Sequence, residues 1–343
     1  MDIQKLASEY LAFRCTTDLL KNTPAAVTAQ APCSQSIPTL VYSTRDIDES
    51  ITKRFEDLKG KKLGIMLSGG MDSACLASYM PGADAFTFRF QGGEYQKAEL
   101  ERAEAFAKHY HLNLHYIDIS WNNTVLPYID QLMESKGAPV HSIEPQLLQA
   151  ANIAKDLGID CMIVGESADL IFGGMDGLLS EDWDVNGINK RYTFCQPASA
   201  LKKPVDINWV YEQYKSENSD KIDLLRFMDE VFSVESSASY TNAFKVAEIE
   251  YCDPYAHMKM GIPLDLNRVR TGDSKYLIRA LFAMKYPHLP VPNKVPMPRP
   301  VDFYFADWEG PKNAIFKENL DMSQFTGNQK WQLWCLDRFI NSL

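Results

Sequence analysis

The sequence predicts an α/β protein: a parallel, doubly wound sheet followed by a helical C-terminal region. Three observations carry this expectation. Short apolar runs alternate with helix-length segments from residue 61 to residue 164. The first of those runs ends in Ser68-Gly69-Gly70 and leads directly into a helical pattern. Beyond about residue 200 the short apolar runs give way to helical spacing and a proline-rich stretch.

The elements follow in chain order. Ile3, Leu6, Tyr10, Leu11 and Phe13 fall near helical spacing, so the first fifteen residues read as an amphipathic helix. Residues 22–38 are rich in Pro, Ala, Ser and Thr and read as a linker. Residues 63–67 (LGIML) form an apolar run suited to a buried parallel strand, and residues 72–80 a helix. A second strand is expected at 86–90. A helix at 94–109 follows, with Ala98, Ala103, Ala105 and Ala107 supplying propensity. Residues 114–119 and 161–164 (CMIV) complete the set of strands, with a helix at 143–157 between them. Helices are expected again at 222–234, 274–286 and 329–340. The resulting division is an N-terminal helix and linker over 1–45, an α/β core over 46–200 and a helical region over 201–343. In a sheet wound this way, ligands sit at the carboxyl ends of the strands.

Composition narrows the function. With 343 residues, 45% hydrophobic and 23% charged, the chain can bury a substantial core. No apolar run approaches the roughly 20 residues that cross a bilayer, and the N-terminus lacks the zones of a signal peptide, so a cytoplasmic location is expected. The seven cysteines are scattered without a CxxC pair, which supports neither a disulfide framework nor a zinc knuckle. They read instead as small buried apolar residues. A formal net charge of −10 argues against a broad nucleic-acid footprint.

The chemistry concentrates in Ser68-Gly69-Gly70-Met71-Asp72-Ser73, where a strand turns into a helix. Two glycines without Cβ atoms let backbone N–H groups close around an anion, and the helix that follows points its positive end at the same place. Ser68 and Ser73 add hydroxyl donors, and Asp72 offers a hard oxygen ligand for magnesium. No GxxxxGK[ST] string occurs, so this is not a Walker loop. A second string, Gly165-Glu166-Ser167-Ala168-Asp169-Leu170-Ile171-Phe172-Gly173-Gly174, directly follows the CMIV run.

The first string resembles the PP-loop of the ATP pyrophosphatases, which split ATP between its α- and β-phosphates. The second resembles the GEGADELFGGY signature of asparagine synthetases and β-lactam synthetases. Looser likenesses agree: Glu99 with Ala103, Glu250 with Pro254-Tyr255, Lys275 with Arg279, Leu289-Pro290 with Lys294, and Trp334 with Phe339. The resemblance runs from about residue 45 to the end. It implies a sheet of the adenine-nucleotide α-hydrolase type and an ATP-dependent, AMP-forming amide ligase. In that reading Asp72 and Asp169 hold Mg2+ against the pyrophosphate, and Leu67, Phe88, Val164 and Gly165 line the adenosine. Ser68, Gly69, Gly70 and Ser73 cradle phosphate. Glu166 stands beside the acceptor as a base or ammonia-positioning group, Lys294 stabilises developing negative charge, and Lys275 assists. Arg299 and Lys285 are rivals for the Lys294 role. The partners implied are a small carboxylate and a nitrogen source: free ammonia, another amine, or ammonia from a separate subunit.

Departures from the family pattern shape further expectations. Met1-Asp2 stands where glutamine-using members carry Met-Cys, so no glutaminase activity is expected. Leu170 replaces the second acid of the signature, and Cys252 and His257 stand where the family has Arg and Asp. These three changes suggest an altered acceptor pocket and an acceptor other than aspartate. The alternatives are a PP-loop tRNA-modifying enzyme of the thiolase or lysidine synthetase kind, or a degenerate nucleotide-binding subunit. Asp182-Trp183-Asp184-Val185-Asn186-Gly187 fits half of a calcium loop, but Thr193 stands where its bidentate Glu belongs. His109, His111 and His115 lack an evident fourth metal ligand. Both groups read as surface features.

Overall fold

The computed structural model describes residues 2–16, 38–90, 94–293 and 299–343. Its centre is a five-stranded parallel sheet built from β2 (Leu63–Met66), β3 (Asp84–Arg89), β4 (Asn113–Asp118), β5 (Cys161–Ile163) and β6 (Glu250–Cys252) in the order β4-β3-β2-β5-β6. Register pairs such as Met66 with Phe86, Ile65 with Ile163 and Ile163 with Cys252 align the strand ends. The chain winds outward from β2 through β3 to β4, then returns to place β5 on the other side of β2. That reversal opens a crevice at the carboxyl ends of β2 and β5, where the two sequence strings lie.

Alternation along the strands supplies two cores, one per face. Phe86, Phe88, Met162 and Val164 point to one face. There they pack against α1 (Ile3–Phe13), α5 (Ile129–Lys136), α6 (Glu144–Asp156), α8 (Ser233–Ala247) and α10 (Gly327–Asn341). Ile65, Leu67, Ala85, Cys161, Ile163 and Cys252 point to the other face. Their partners are α2 (Thr44–Asp57), α3 (Met71–Ala77), α4 (Glu94–His109) and α9 (Tyr276–Lys285). Gly64 is glycine because a Cβ there would meet Met162 Sδ at 2.8 Å and Phe86 at 3.0 Å. A third cluster, around Phe13, Tyr192, Tyr211 and Phe227, holds α7 (Val185–Tyr192) and the shorter helices between 176 and 227.

The sheet is the doubly wound parallel one that the βα rhythm predicts, with one addition. Its fifth strand comes from the region expected to be helical. A second, two-stranded parallel sheet joins β1 (Thr39–Val41) to β7 (Met258–Met260). These strands are three residues long, too short for periodicity to register. The helix expected at 222–234 is instead a short α-turn, Leu224–Phe227, a π-segment, Met228–Phe232, and then α8. The six cysteines among the described residues are buried and none is in a disulfide; Cys33 lies outside them. No helix of the described residues is long and apolar enough to cross a membrane.

Candidate active site

The loop after β2 is held by its own hydroxyls. Ser68 N–H donates to Ser73 Oγ at 3.1 Å, the two hydroxyl oxygens are 3.0 Å apart, and Gly70 N–H donates to Ser68 Oγ at 3.1 Å. The two glycines differ in purpose. A Cβ on Gly69 would lie 2.5 Å from the carbonyl oxygen of Glu99, so the glycine lets α4 approach the loop. A Cβ on Gly70 would meet only Ser68 Oγ, at 3.1 Å. The expectation that both glycines clear space for an anion is therefore corrected for Gly69, which does not line the cavity. Glu99 is buried against this loop, and burial, opposed by the Gly69 N–H and Arg102, raises its pKa to about 7.

The loop after β5 abuts the first. A Cβ on Gly165 would come within 3.5 Å of the Asp72 carbonyl carbon, and Tyr255 OH donates to Asp72 O at 3.0 Å. Buried Asp253 organises this second loop: its Oδ2 accepts Ser167 N–H at 2.7 Å and its Oδ1 accepts Tyr255 N–H at 3.0 Å. Burial raises the Asp253 pKa to about 7 despite those donors, and nearby Glu166 adds to the rise.

Between the loops lies an ion triad. Lys275 Nζ sits 2.5 Å from Asp72 Oδ2 and 2.5 Å from Asp169 Oδ1. Burial disfavours the lysine's charge, but the two carboxylates more than offset it and hold its pKa above the ordinary lysine range. Lys275 adopts left-handed backbone angles, φ 52° and ψ 35°, at the N-cap of α9. Gly174 completes the arrangement: a Cβ there would fall 1.9 Å from Asp169 Oδ1 and 2.1 Å from Lys275 Cε. Gly174, the last residue of the second string, thus makes room for the triad.

A cavity of about 310 Å³ opens over these groups, near the lower end of the size of small-molecule sites. Leu67, Phe88, Val164 and Gly165 line it together with Ser68, Gly70, Asp72, Ser73, Glu166, Asp169 and Lys275. Several lining residues were not anticipated from sequence, among them Met66, Thr87, Tyr240 and Asn293. Glu166 is held by α8. Ser236 Oγ donates to its Oε1, and Tyr240 OH donates to its Oε2 at 3.0 Å. The tyrosine's own pKa is pushed up by burial and then by Glu166. These two hydroxyls lie 70 and 74 residues away in sequence, so no local pattern announces them.

Lys294 lies outside the described residues. Of its rivals, Lys285 is engaged elsewhere, 2.7 Å from Asp48 and over the Tyr79 ring. Arg299 is close enough to Glu235, Glu166 and Tyr240 to feel their charge, and burial, then Arg14, lowers its pKa. The reading of Leu170, Cys252 and His257 as acceptor-pocket positions is corrected, because none of them lines the cavity. Cys252 is in the core with Arg54 Nε donating to its sulfur at 3.3 Å, and Leu170 packs against the third cluster. His257 is partly buried, and burial together with Arg54 lowers its pKa to about 4. The half calcium loop is likewise structural: Asp184 caps the helix Val185–Tyr192 and accepts Gly187 N–H at 2.7 Å.

The residues present fit a magnesium ion. Two aspartates supply hard oxygen ligands and already share one cation, the Lys275 ammonium. No cluster of three or more metal-binding side chains occurs among the described residues, so phosphate oxygens or water would have to complete the shell.

Among solved structures, a U34-tRNA thiolase, NcsA, from Methanococcus maripaludis, solved with its 4Fe–4S cluster, aligns over 90% of this chain and 89% of its own. The identity is 10% and the TM-score 0.31. An NMN synthetase from Francisella tularensis aligns over 74% of this chain and 96% of its own, at 12% identity and a TM-score of 0.27. No curated protein sequence matches the chain. The family model for asparagine synthase matches residues 45–248, from the start of α2 to the end of α8, which spans both strand-end loops and the hydroxyls on Glu166. The chain belongs to the asparagine synthase family, whose members are ATP-using enzymes of the PP-loop kind.

Proposed function

We propose that the chain is an AMP- and pyrophosphate-forming amide ligase that adenylates a carboxylic acid and passes the acyl group to ammonia or another amine. The observation that carries this reading is that one cavity is lined both by the Asp72–Lys275–Asp169 triad and by hydroxyl-held Glu166. In this reading the triad serves the leaving-group charge and Glu166 the incoming amine.

In this reading adenosine lies against Leu67, Phe88, Val164 and Gly165, and its phosphates face the Ser68–Ser73 loop. The acceptor carboxylate attacks the α-phosphorus and pyrophosphate leaves. Lys275 meets the developing negative charge, and positioned charge of this kind is commonly the largest catalytic contribution. Magnesium, when held by Asp72 and Asp169, would add charge neutralisation at the pyrophosphate. Glu166, fixed by Ser236 and Tyr240, orients the amine and takes its proton as the amide forms and AMP departs.

The test is a panel of carboxylic acids offered with ATP, magnesium and ammonium, followed by phosphorus NMR. An active acid should yield AMP and pyrophosphate in equal amounts. ADP and orthophosphate as products would sink the proposal.

A further inference from the structure

The Lys275 ammonium stands where a metal ion would stand. A magnesium ion bound to the Asp72 and Asp169 oxygens would lie about 2.1 Å from each, and Lys275 Nζ is 2.5 Å from one oxygen of each. Two cations cannot share that point. The lysine is also held in place from behind. Its backbone carbonyl accepts Arg279 N–H at 2.8 Å at the head of α9, so the residue is anchored and only its side chain can move. The side chain is buried, and the Gly174 backbone lies so close that a Cβ would touch Lys275 Cε. The side chain borders the cavity, which Ser274, Lys275 and Arg279 line together.

We infer that Lys275 is an exchangeable counter-cation that keeps the two metal-binding aspartates ordered and closed to divalent ions until a polyphosphate draws the ammonium away. The inference rests on the proposed nucleotide reading for the identity of that polyphosphate, though not for the exchange itself. Without a polyphosphate, the carboxylates have a partner that costs nothing to desolvate a second time. With phosphate oxygens in the cavity, the ammonium gains a new anion and the aspartates are released to the metal. Nucleotide and metal therefore favour each other, reciprocally. As a positioning residue, Lys275 also prevents the two carboxylates from repelling one another in the empty site.

The test measures Mn2+ binding to the full chain by electron paramagnetic resonance, without nucleotide, in wild type, Lys275→Met and Lys275→Met/Asp169→Asn. The wild type should bind Mn2+ only weakly. Lys275→Met should bind it at least tenfold more tightly, and the double variant should lose that gain. Added Mn2+ should also raise the melting temperature of Lys275→Met more than that of the wild type. If Lys275→Met does not fold, Lys275→Gln keeps a donor between the carboxylates and should show the same gain. A variant that binds Mn2+ no more tightly than the wild type would overturn the inference. A separate arm adds α,β-methylene-ATP with Mn2+ to the wild type and follows its melting temperature. No stabilisation there, with the tenfold gain intact, would refute the nucleotide reading while supporting the exchange.

Discussion

Gly174→Ala adds one methyl group and removes no functional atom, so it isolates the geometry of the Asp72–Lys275–Asp169 triad. The new Cβ would lie 1.9 Å from Asp169 Oδ1 and 2.1 Å from Lys275 Cε, contacts that real side chains do not make. Both must open by about 1 Å before the atoms merely touch, and a misplacement of about 1 Å at a reacting centre costs on the order of 100-fold in rate. That corresponds to roughly 2.7 kcal/mol of transition-state stabilisation. Overpacking itself costs about 1–3 kcal/mol of folding stability, so the melting temperature should fall by only a few degrees. The assay is ATP-dependent pyrophosphate release at saturating acid and ammonium, alongside thermal melting. Gly177→Ala is the control: its Cβ would meet only the Arg191 guanidinium, the far end of a flexible side chain, and turnover should stay near wild type. If Gly174→Ala kept turnover within about threefold of wild type, the triad would not be the arrangement that catalysis uses.

Other perturbations separate the remaining parts of the site. Gly69→Ala should cost both stability and turnover, because its Cβ would strike the Glu99 backbone at 2.5 Å, whereas Gly70→Ala should melt near wild type. Equal melting of the two would undo the packing argument. Tyr240→Phe removes the donor to Glu166 Oε2, and a hydrogen bond to a charged group is worth about 1.5–3 kcal/mol. Turnover should fall roughly ten- to a hundredfold with nucleotide KM unchanged, and a loss of less than twofold would remove Tyr240 from the account. Asp253 supplies a pH test. Its pKa of about 7 in the fold exceeds the usual aspartate value, so the native state holds a proton the unfolded chain releases. Its contribution is full below about pH 4 and is lost as pH rises through about 7, by up to roughly 4 kcal/mol. Urea unfolding should therefore find Asp253→Asn less damaging at pH 8 than at pH 5.5, and the opposite trend would refute the assignment.

The sequence is legible where structure is local. The β2 run ends in Ser68-Gly69-Gly70 because a buried strand must turn there. The CMIV run likewise marks β5, and both loops arrive at the crevice that doubly wound topology dictates. The helix at Glu94–His109, expected from its alanine content, is found to the residue. What was not legible is what long-range packing decides. Strands β6 and β7 are three residues each and are strands only because β5 and β1 lie beside them. Asp253, Ser236 and Tyr240 act through partners many residues away. Leu170, Cys252 and His257 match pocket positions of a family pattern, yet none of them lines the cavity. Gly69 shows a further limit: its sequence position fitted a phosphate cradle, while its missing Cβ serves the approach of α4.

The most direct test of the proposed adenylation follows the acceptor's oxygen. An active acid carrying 18O in both carboxylate positions is incubated with ATP, magnesium and ammonium, and the products are read by phosphorus NMR and mass spectrometry. Attack of the carboxylate on the α-phosphorus, followed by amine attack at the acyl carbon, leaves one 18O in AMP and one in the amide. AMP bearing a single 18O, with unlabelled pyrophosphate, is the predicted result. AMP without label, or label in phosphate or pyrophosphate, would contradict the account.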